Sequence, residues 1–313
     1  MKKDKKILVV VHVYYLDQLD VLIECLGNIT LTYDLYVTSD IKNKKIISEK
    51  IQKEKPDFNF IESENLGYDV WPFIKVINNV DLSKYDYIIK LHTKRDIQQK
   101  DIGINGLVNL GNGYFLNGGS MWRDNLLEFI KTKSNLHKCL KALENPKIGM
   151  CTRYNLIHNK PNIGGIMDDA KKHYPKYVFD IDNFNFVAGT MFISKIEPIQ
   201  LIKDMNILID LFEKPTADHK TQFAHVIERS IGESVYKLGM KIVDPFTPSE
   251  HIRAIKIKYT TLKIIRRFIQ YCFCWVPLPK IRRKIKANIN NYFYKHYMKK
   301  ILILDNKFLT KAK

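Results

Sequence analysis

Cysteine is scarce and unpaired in this 313-residue chain: Cys25, Cys139, Cys151, Cys272 and Cys274 are five in number and show no CxxC spacing. That excludes a disulfide scaffold and a paired-cysteine zinc module, and it suits a reducing cytoplasm. Long apolar runs are missing too, since no stretch reaches the roughly 18 residues that cross a bilayer. The start, Met1–Lys6 followed by Ile7–Leu16, has the charge and apolar length of a signal peptide, but Tyr14-Tyr15-Leu16-Asp17 offers no small-residue cleavage site. Internal repeats and low-complexity linkers are absent, and 45% hydrophobic with 12% aromatic content excludes a disordered or collagen-like chain.

Acid is what the C-terminal end lacks most. His251–Lys313 hold 17 Lys and Arg against the single acid Asp305, whereas the first 250 residues carry 34 against 32. The chain therefore divides into a near-neutral globular domain over 1–250 and a basic appendage over 251–313. In the appendage Ile252, Ile255, Tyr259, Leu262 and Ile265 recur at helical spacing among Arg253, Lys256, Lys258, Lys263, Arg266 and Arg267. Phe268–Leu278 is apolar and aromatic, and Lys280–Lys286 (KIRRKIK) is densely cationic. Rings at headgroup depth beside Lys and Arg predict an amphipathic helix lying on an anionic membrane through residues 251–300, peripheral to the inner face of the cell membrane. A nucleic-acid-binding or scaffold protein is the competing class. No helix-turn-helix, zinc-finger or RNP pattern supports it, and charge beside a Phe/Trp stretch fits lipid better.

What is present in the first 95 residues is a regular beat of buried strands. Ile7–Val13 is a β-branched run, followed by Leu16, Leu19, Leu22, Ile23 and Leu26 at helical spacing. Further runs at Leu35–Thr38, Phe58–Ile61 and Tyr87–Leu91 recur at the length of a strand plus a crossover helix. The fold class is α/β: a Rossmann-type, mostly parallel sheet flanked by helices. Asp101–Gly119 and Asn159–Asp169 read as loops, Asn185–Ser194 as one buried strand, Thr221–Leu238 as a helix ending at Gly239, and Lys241–Val243 as a short strand.

Ligands of such sheets bind beyond the carboxyl ends of the strands. Asn65-Leu-Gly-Tyr-Asp69 stands at one such end. Gly67 there allows a sharp turn or a close ligand, and the plain alternative is a loop whose Asp69 caps the helix Val70–Val80. Tyr85–Asp96 ends in His92, Thr93, Lys94 and Arg95, a polar and cationic cluster able to face phosphate. Gly189 allows either close approach of a sugar or tight strand packing.

Several short segments share an order that resembles the rhamnan synthesis F family of bacterial polysaccharide glycosyltransferases, GT-A-like enzymes. They are His12-Val-Tyr-Tyr15, Tyr33–Thr38, Asn65-x-Gly-x-Asp69 with Pro72-Phe73, Lys90-Leu-His-Thr-Lys94, Trp122-Arg123, Ile148-Gly149, Phe186–Phe192 and Ala224–Arg229. The resemblance covers roughly residues 7–245 and implies a nucleotide-sugar donor, a lipid-linked glycan acceptor, and transfer of L-rhamnose or another deoxyhexose. It implies donor contacts from His12, Tyr14, Asn65, Gly67, Asp69, Thr93, Arg95, Gly189 and Thr190, with His225, Arg229, Trp122 and Arg123 as acceptor or supporting residues. GT-A enzymes commonly carry Asp-x-Asp after the fourth strand. Here that strand ends in His92-Thr93-Lys94 with Asp96 the nearest carboxylate, so a divalent Mg or Mn ion has little to hold it and Lys94 is the expected stabiliser of the diphosphate, beside His92. An inverting displacement needs a base, and Glu228 is the expected one, its pKa raised by partial burial, with Asp218 and Glu233 in reserve.

Overall fold

The computed structural model describes residues 5–95, 120–159, 165–214 and 222–248, with short pieces between and beyond them. Its centre is a seven-stranded sheet. The strands are β1 (Lys6–His12), β2 (Thr32–Ser39), β3 (Asn59–Glu62), β4 (Tyr87–His92), β5 (Ile148–Cys151), β6 (Phe192–Lys195) and β7 (Lys241–Val243), in the order β7-β5-β6-β4-β1-β2-β3. Pairing is parallel throughout except around β6, which runs antiparallel to both β4 and β5. The β-branched run of β1 is buried from Ile7 to Val11 because strands lie on both sides of it and helices cover its faces. The α/β, Rossmann-type expectation holds.

Helices α1 (Leu19–Leu26), α2 (Lys44–Ile51) and α3 (Val70–Asn79) follow β1, β2 and β3 in turn. Each buries an apolar stripe, such as Leu19, Leu22, Cys25 and Leu26 in α1. Further on, α5 (Lys133–Leu143) packs on β5 and β6, preceded by α4 (Ser120–Leu127); α6 (Ile166–His173) and α7 (Ile196–Asp204) both pack against the long α8 (Phe223–Lys237). Helix α8 ends as expected, with Gly239 at φ 68°, and β7 has the predicted bounds.

One expected element is two. Asn185–Ser194 does not run as a single strand: Phe186–Val187 pairs with Ile157–His158, the chain turns through Gly189 and Thr190 at φ 79° and 49°, and only then does β6 begin. Two successive left-handed residues break the strand geometry, which the apolar pattern does not reveal.

By internal contacts the chain forms two compact units, Met1–Arg95 with Leu126–Phe246, and Asp96–Asn125 with Thr247–Lys313. The second holds a short strand pair, Val108–Asn109 with Phe115–Leu116. Most of the basic appendage lies outside the described residues, and of its predicted apolar stripe only Ile265 is among them. The loop at Asp101–Gly119 also lies largely outside.

Candidate functional site

The strand order reverses between β1 and β4, and the carboxyl ends of strands at such a switch point are where ligands of these sheets bind. His12 and His92 are register partners at this point. An inner cavity of about 160 Å³ opens there, lined by His12, Tyr14, Tyr15, Asn65, Tyr68, Asp69, His92, Thr93 and Lys94. Beside it runs an outer groove of about 680 Å³ that shares His12, Tyr14, Tyr15 and Asn65 and extends along Ser39, Asp40, Ser63, Glu64 and Arg95.

Behind the cavity sits a buried ion pair. Lys90, 1% exposed in the middle of β4, donates to the Asp69 carboxylate, to Thr190 Oγ1 at 2.7 Å and to the Thr190 carbonyl at 3.1 Å. Asp69 occupies the position before α3 but makes no capping bond; it also accepts from the Thr190 hydroxyl. The capping alternative is thereby set aside. Burial alone would raise the Asp69 carboxyl, but the adjacent His92 ring, the Lys90 charge and the bonds from Lys90 and Thr190 hold it far below the usual carboxylate range. Burial also pulls Lys90 down; three acceptors around its ammonium keep the pair charged.

His92 is 4% exposed and lies beside this pair, with Nε2 2.9 Å from the Gly189 carbonyl. Burial, with Lys90 and Lys94 nearby, lowers its pKa against the pull of Asp69, and a carbonyl faces each ring nitrogen, Gly189 at Nε2 and Thr93 at Nδ1, the latter 3.2 Å away. His12 is pushed down to about 3, first by burial. Thr93 Oγ1 accepts the backbone N–H groups of Tyr14 and Tyr15, each at 2.9 Å, and so pins the segment after β1. Lys94 is half-buried and makes no hydrogen bond or ion pair among the described residues. Arg95 turns to the outer groove, paired with Asp17 at 2.9 Å and lying over the Tyr15 ring at 4.7 Å.

Glu228 lies one layer further back, 13% exposed, accepting the Gly189 N–H at 3.0 Å and the Arg229 guanidinium at 2.8 Å. The expected rise of its pKa is reversed: burial does push it up, but the His225 hydrogen bond, the Arg229 charge and the Gly189 N–H outweigh that and lower it. His225 stacks on Tyr68 at 5.7 Å, and Arg229 bonds the Pro161 carbonyl at 3.2 Å while lying over Phe186. Gly67, at φ 55°, faces the Phe212 ring so closely that a Cβ would stand 2.3 Å from it; its role is the turn and this packing. Glu233 is fully buried and raised by that burial, its carboxylate accepting the N–H groups of Phe179 and Ile181 away from the cavity.

The crevice thus gathers His12, Tyr14, Asn65, Asp69, His92, Thr93 and Lys94 on one wall, with Gly189, Thr190, Glu228, His225 and Arg229 bonded or stacked behind them. Arg123, paired with Asp124 at 3.5 Å, belongs to the other unit; Asp96, Asp218 and the side chain of Trp122 lie outside the described residues. Lys90 is the residue that sequence reasoning missed as a site component. Its signal was a lysine inside a strand otherwise built to be buried on both faces, where a charge must find a partner.

Among the described residues no three His, Cys, Asp or Glu side chains gather to hold a metal ion. The one carboxylate lining the inner cavity, Asp69, is already claimed by Lys90 and Thr190, so the donor set described here does not fit a divalent ion.

The rhamnan synthesis protein F family model matches residues 1–239, which include every strand but β7. The chain belongs to this family. It is also 24% identical over 238 residues to the uncharacterized protein WxcX of Xanthomonas campestris pv. campestris strain B100, and equally to WxcX of strain ATCC 33913. These alignments cover 75% of the chain but 32% of each relative, so the chain spans about a third of the length of the curated relatives it matches. The region shared with the family contains the whole crevice, from His12 to Arg229.

Proposed function

We propose that this chain is a glycosyltransferase that moves a sugar from a nucleoside-diphosphate donor to a growing glycan, as the family's name, rhamnan synthesis, suggests for rhamnose or a related deoxyhexose. The observation that carries the reading is Lys94, an ammonium without a protein partner among the described residues, lining a cavity at the switch point of a Rossmann-type sheet. Charge accumulates on the diphosphate as it leaves, and an oriented cation in a shielded crevice stabilises it there. Asp69 does not cancel that charge, because Lys90 neutralises it. Glu228, ionised and engaged by Gly189 and Arg229, acts in this reading as a positioning residue that holds the Gly189–Thr190 turn.

A panel of nucleoside diphosphates and sugar nucleotides, with and without Mg²⁺ or Mn²⁺, tests this by thermal shift. A ligand at a hundred times its Kd stabilises by about 2.7 kcal/mol. Lys94→Met should weaken binding about tenfold or more, since a charge-assisted contact is lost. Absence of any shift, or equal affinity in Lys94→Met, refutes the proposal.

The acceptor, on the same reading, is lipid-linked, and residues 251–300 hold the enzyme at the inner face of the membrane. Ile264, Ile265 and Phe268, at helical spacing, are 63%, 43% and 67% exposed, which supports an apolar face for lipid. No helix among the described residues is long and apolar enough to cross a membrane.

A further inference from the structure

Two groups on the inner cavity wall have one hydrogen-bonding role left. The Thr93 hydroxyl uses both oxygen lone pairs on the Tyr14 and Tyr15 N–H groups, and no described residue accepts its proton. Thr93 is 3% exposed and lines the cavity, so that proton is left for water or a ligand there. His12 stands beside it, since the Thr93 N–H donates to the His12 carbonyl at 2.9 Å. The His12 Nδ1 lies 3.0 Å from Thr38 Oγ1, and the Thr38 hydroxyl donates to the Val11 carbonyl at 3.4 Å. With the Thr38 proton committed to that carbonyl, its oxygen accepts from His12 and the ring carries its proton on Nδ1. Burial, His92 and Lys90 disfavour a second proton on the ring, against the pull of Asp69 and of the Thr38 backbone. That leaves Nε2 as a bare lone pair on a ring that lines both the inner cavity and the outer groove.

We infer that His12 Nε2 is a dedicated acceptor and the Thr93 hydroxyl a dedicated donor, so that the site selects a ligand offering a hydroxyl to His12 beside an anionic oxygen on Thr93 and Lys94. This deepens the glycosyltransferase reading and rests on it. It makes His12 the residue that distinguishes a hydroxylated sugar nucleotide from a bare polyphosphate, because an unpaired acceptor rejects a ligand that cannot donate to it.

The first test is the tautomer. In the full chain with ¹⁵N-labelled histidine, long-range ¹H–¹⁵N spectra at pH 7 should show His12, identified by its loss in His12→Phe, neutral with its proton on Nδ1. A Nε2–H or cationic ring overturns the inference. The second is calorimetry with inorganic pyrophosphate, uridine diphosphate glucose and thymidine diphosphate rhamnose. His12→Phe should weaken whichever sugar nucleotide binds by about 3–10-fold, the worth of one hydrogen bond, and leave pyrophosphate within about twofold. Thr93→Val should weaken both classes and Thr93→Ser neither. An equal loss for pyrophosphate in His12→Phe marks a merely structural histidine and overturns the inference. A wild-type chain that binds none of the three ligands overturns the functional reading together with the inference. One that binds them with His12 in the Nε2–H form overturns the inference and leaves the reading standing.

Discussion

Lys90 and Asp69 illustrate how far a single residue's neighbours decide its role. A lysine inside a buried strand survives only because Asp69 and Thr190 surround it with acceptors. Lys90→Met should cost about 3 kcal/mol in urea unfolding by stranding the Asp69 carboxylate, while Lys90→Met with Asp69→Asn together should recover most of that loss. The histidines set the acid limit. His12 and His158 are pushed down to about 3 and about 4, both mainly by burial, while the unfolded chain titrates near 6.5. Between those values the unfolded state binds protons that the folded state refuses, so stability falls as pH drops below about 6.5, by roughly 1.4 kcal/mol per pH unit for each histidine. Asp69, depressed when folded, costs stability only at still lower pH, as pH falls from the unfolded carboxylate value through its folded one. Urea titrations at pH 7 and pH 5 should show this loss, and His158→Phe, at a ring packed edge-on to Phe186, should flatten the slope.

At the scale of elements, close approach outweighs propensity. Gly232 lies inside α8, where alanine would be favoured by about 1 kcal/mol on helix propensity alone. A Cβ there would stand 2.6 Å from both the Asn185 carbonyl oxygen and the Phe186 Cβ, because α8 packs directly onto the strand before the Gly189–Thr190 turn. Gly232→Ala should therefore destabilise by about 1–3 kcal/mol, read from the urea midpoint, and should disturb the turn that His92 and Glu228 hold. Gly239→Ala, with open space around it, should cost only about 1 kcal/mol for its left-handed backbone. The central strands β1 and β4 were legible because a parallel sheet covered on both faces demands continuous apolar runs, whereas β3, at the sheet edge, buries none of its residues. The break at Gly189–Thr190 was not, because threonine rarely takes a positive φ and nothing local announces it.

At the scale of the whole molecule, charge is partitioned along the chain, and the prediction follows the partition. The full chain should sediment with vesicles containing phosphatidylglycerol and not with neutral phosphatidylcholine. Replacing Arg282, Arg283, Lys284 and Lys286 with glutamine should weaken that binding by several tenfold steps, at about 1 kcal/mol per basic residue near an anionic surface. Raising salt should mimic the substitution. Equal binding to neutral vesicles, or none to anionic ones, would remove the membrane from the proposed function.

Hydrophobic periodicity, charge distribution and the cationic end of β4 are local properties, and from them the sequence alone determined the α/β class, the positions of β1 to β4 and β7, and the edge of the sheet where chemistry belongs; β5, Ile148–Cys151, was not read as a strand. Which residues meet there was decided by the fold. Residues 12, 38, 69, 189 and 228, and the pair 90 and 93 at the end of β4, come from separate parts of the chain, and only the sheet's strand order and the turn before β6 bring them together. The protonation of His12 depends on that company, since burial drives it down; at Glu228 the chain neighbours His225 and Arg229, with the Gly189 N–H brought in by the fold, outweigh burial.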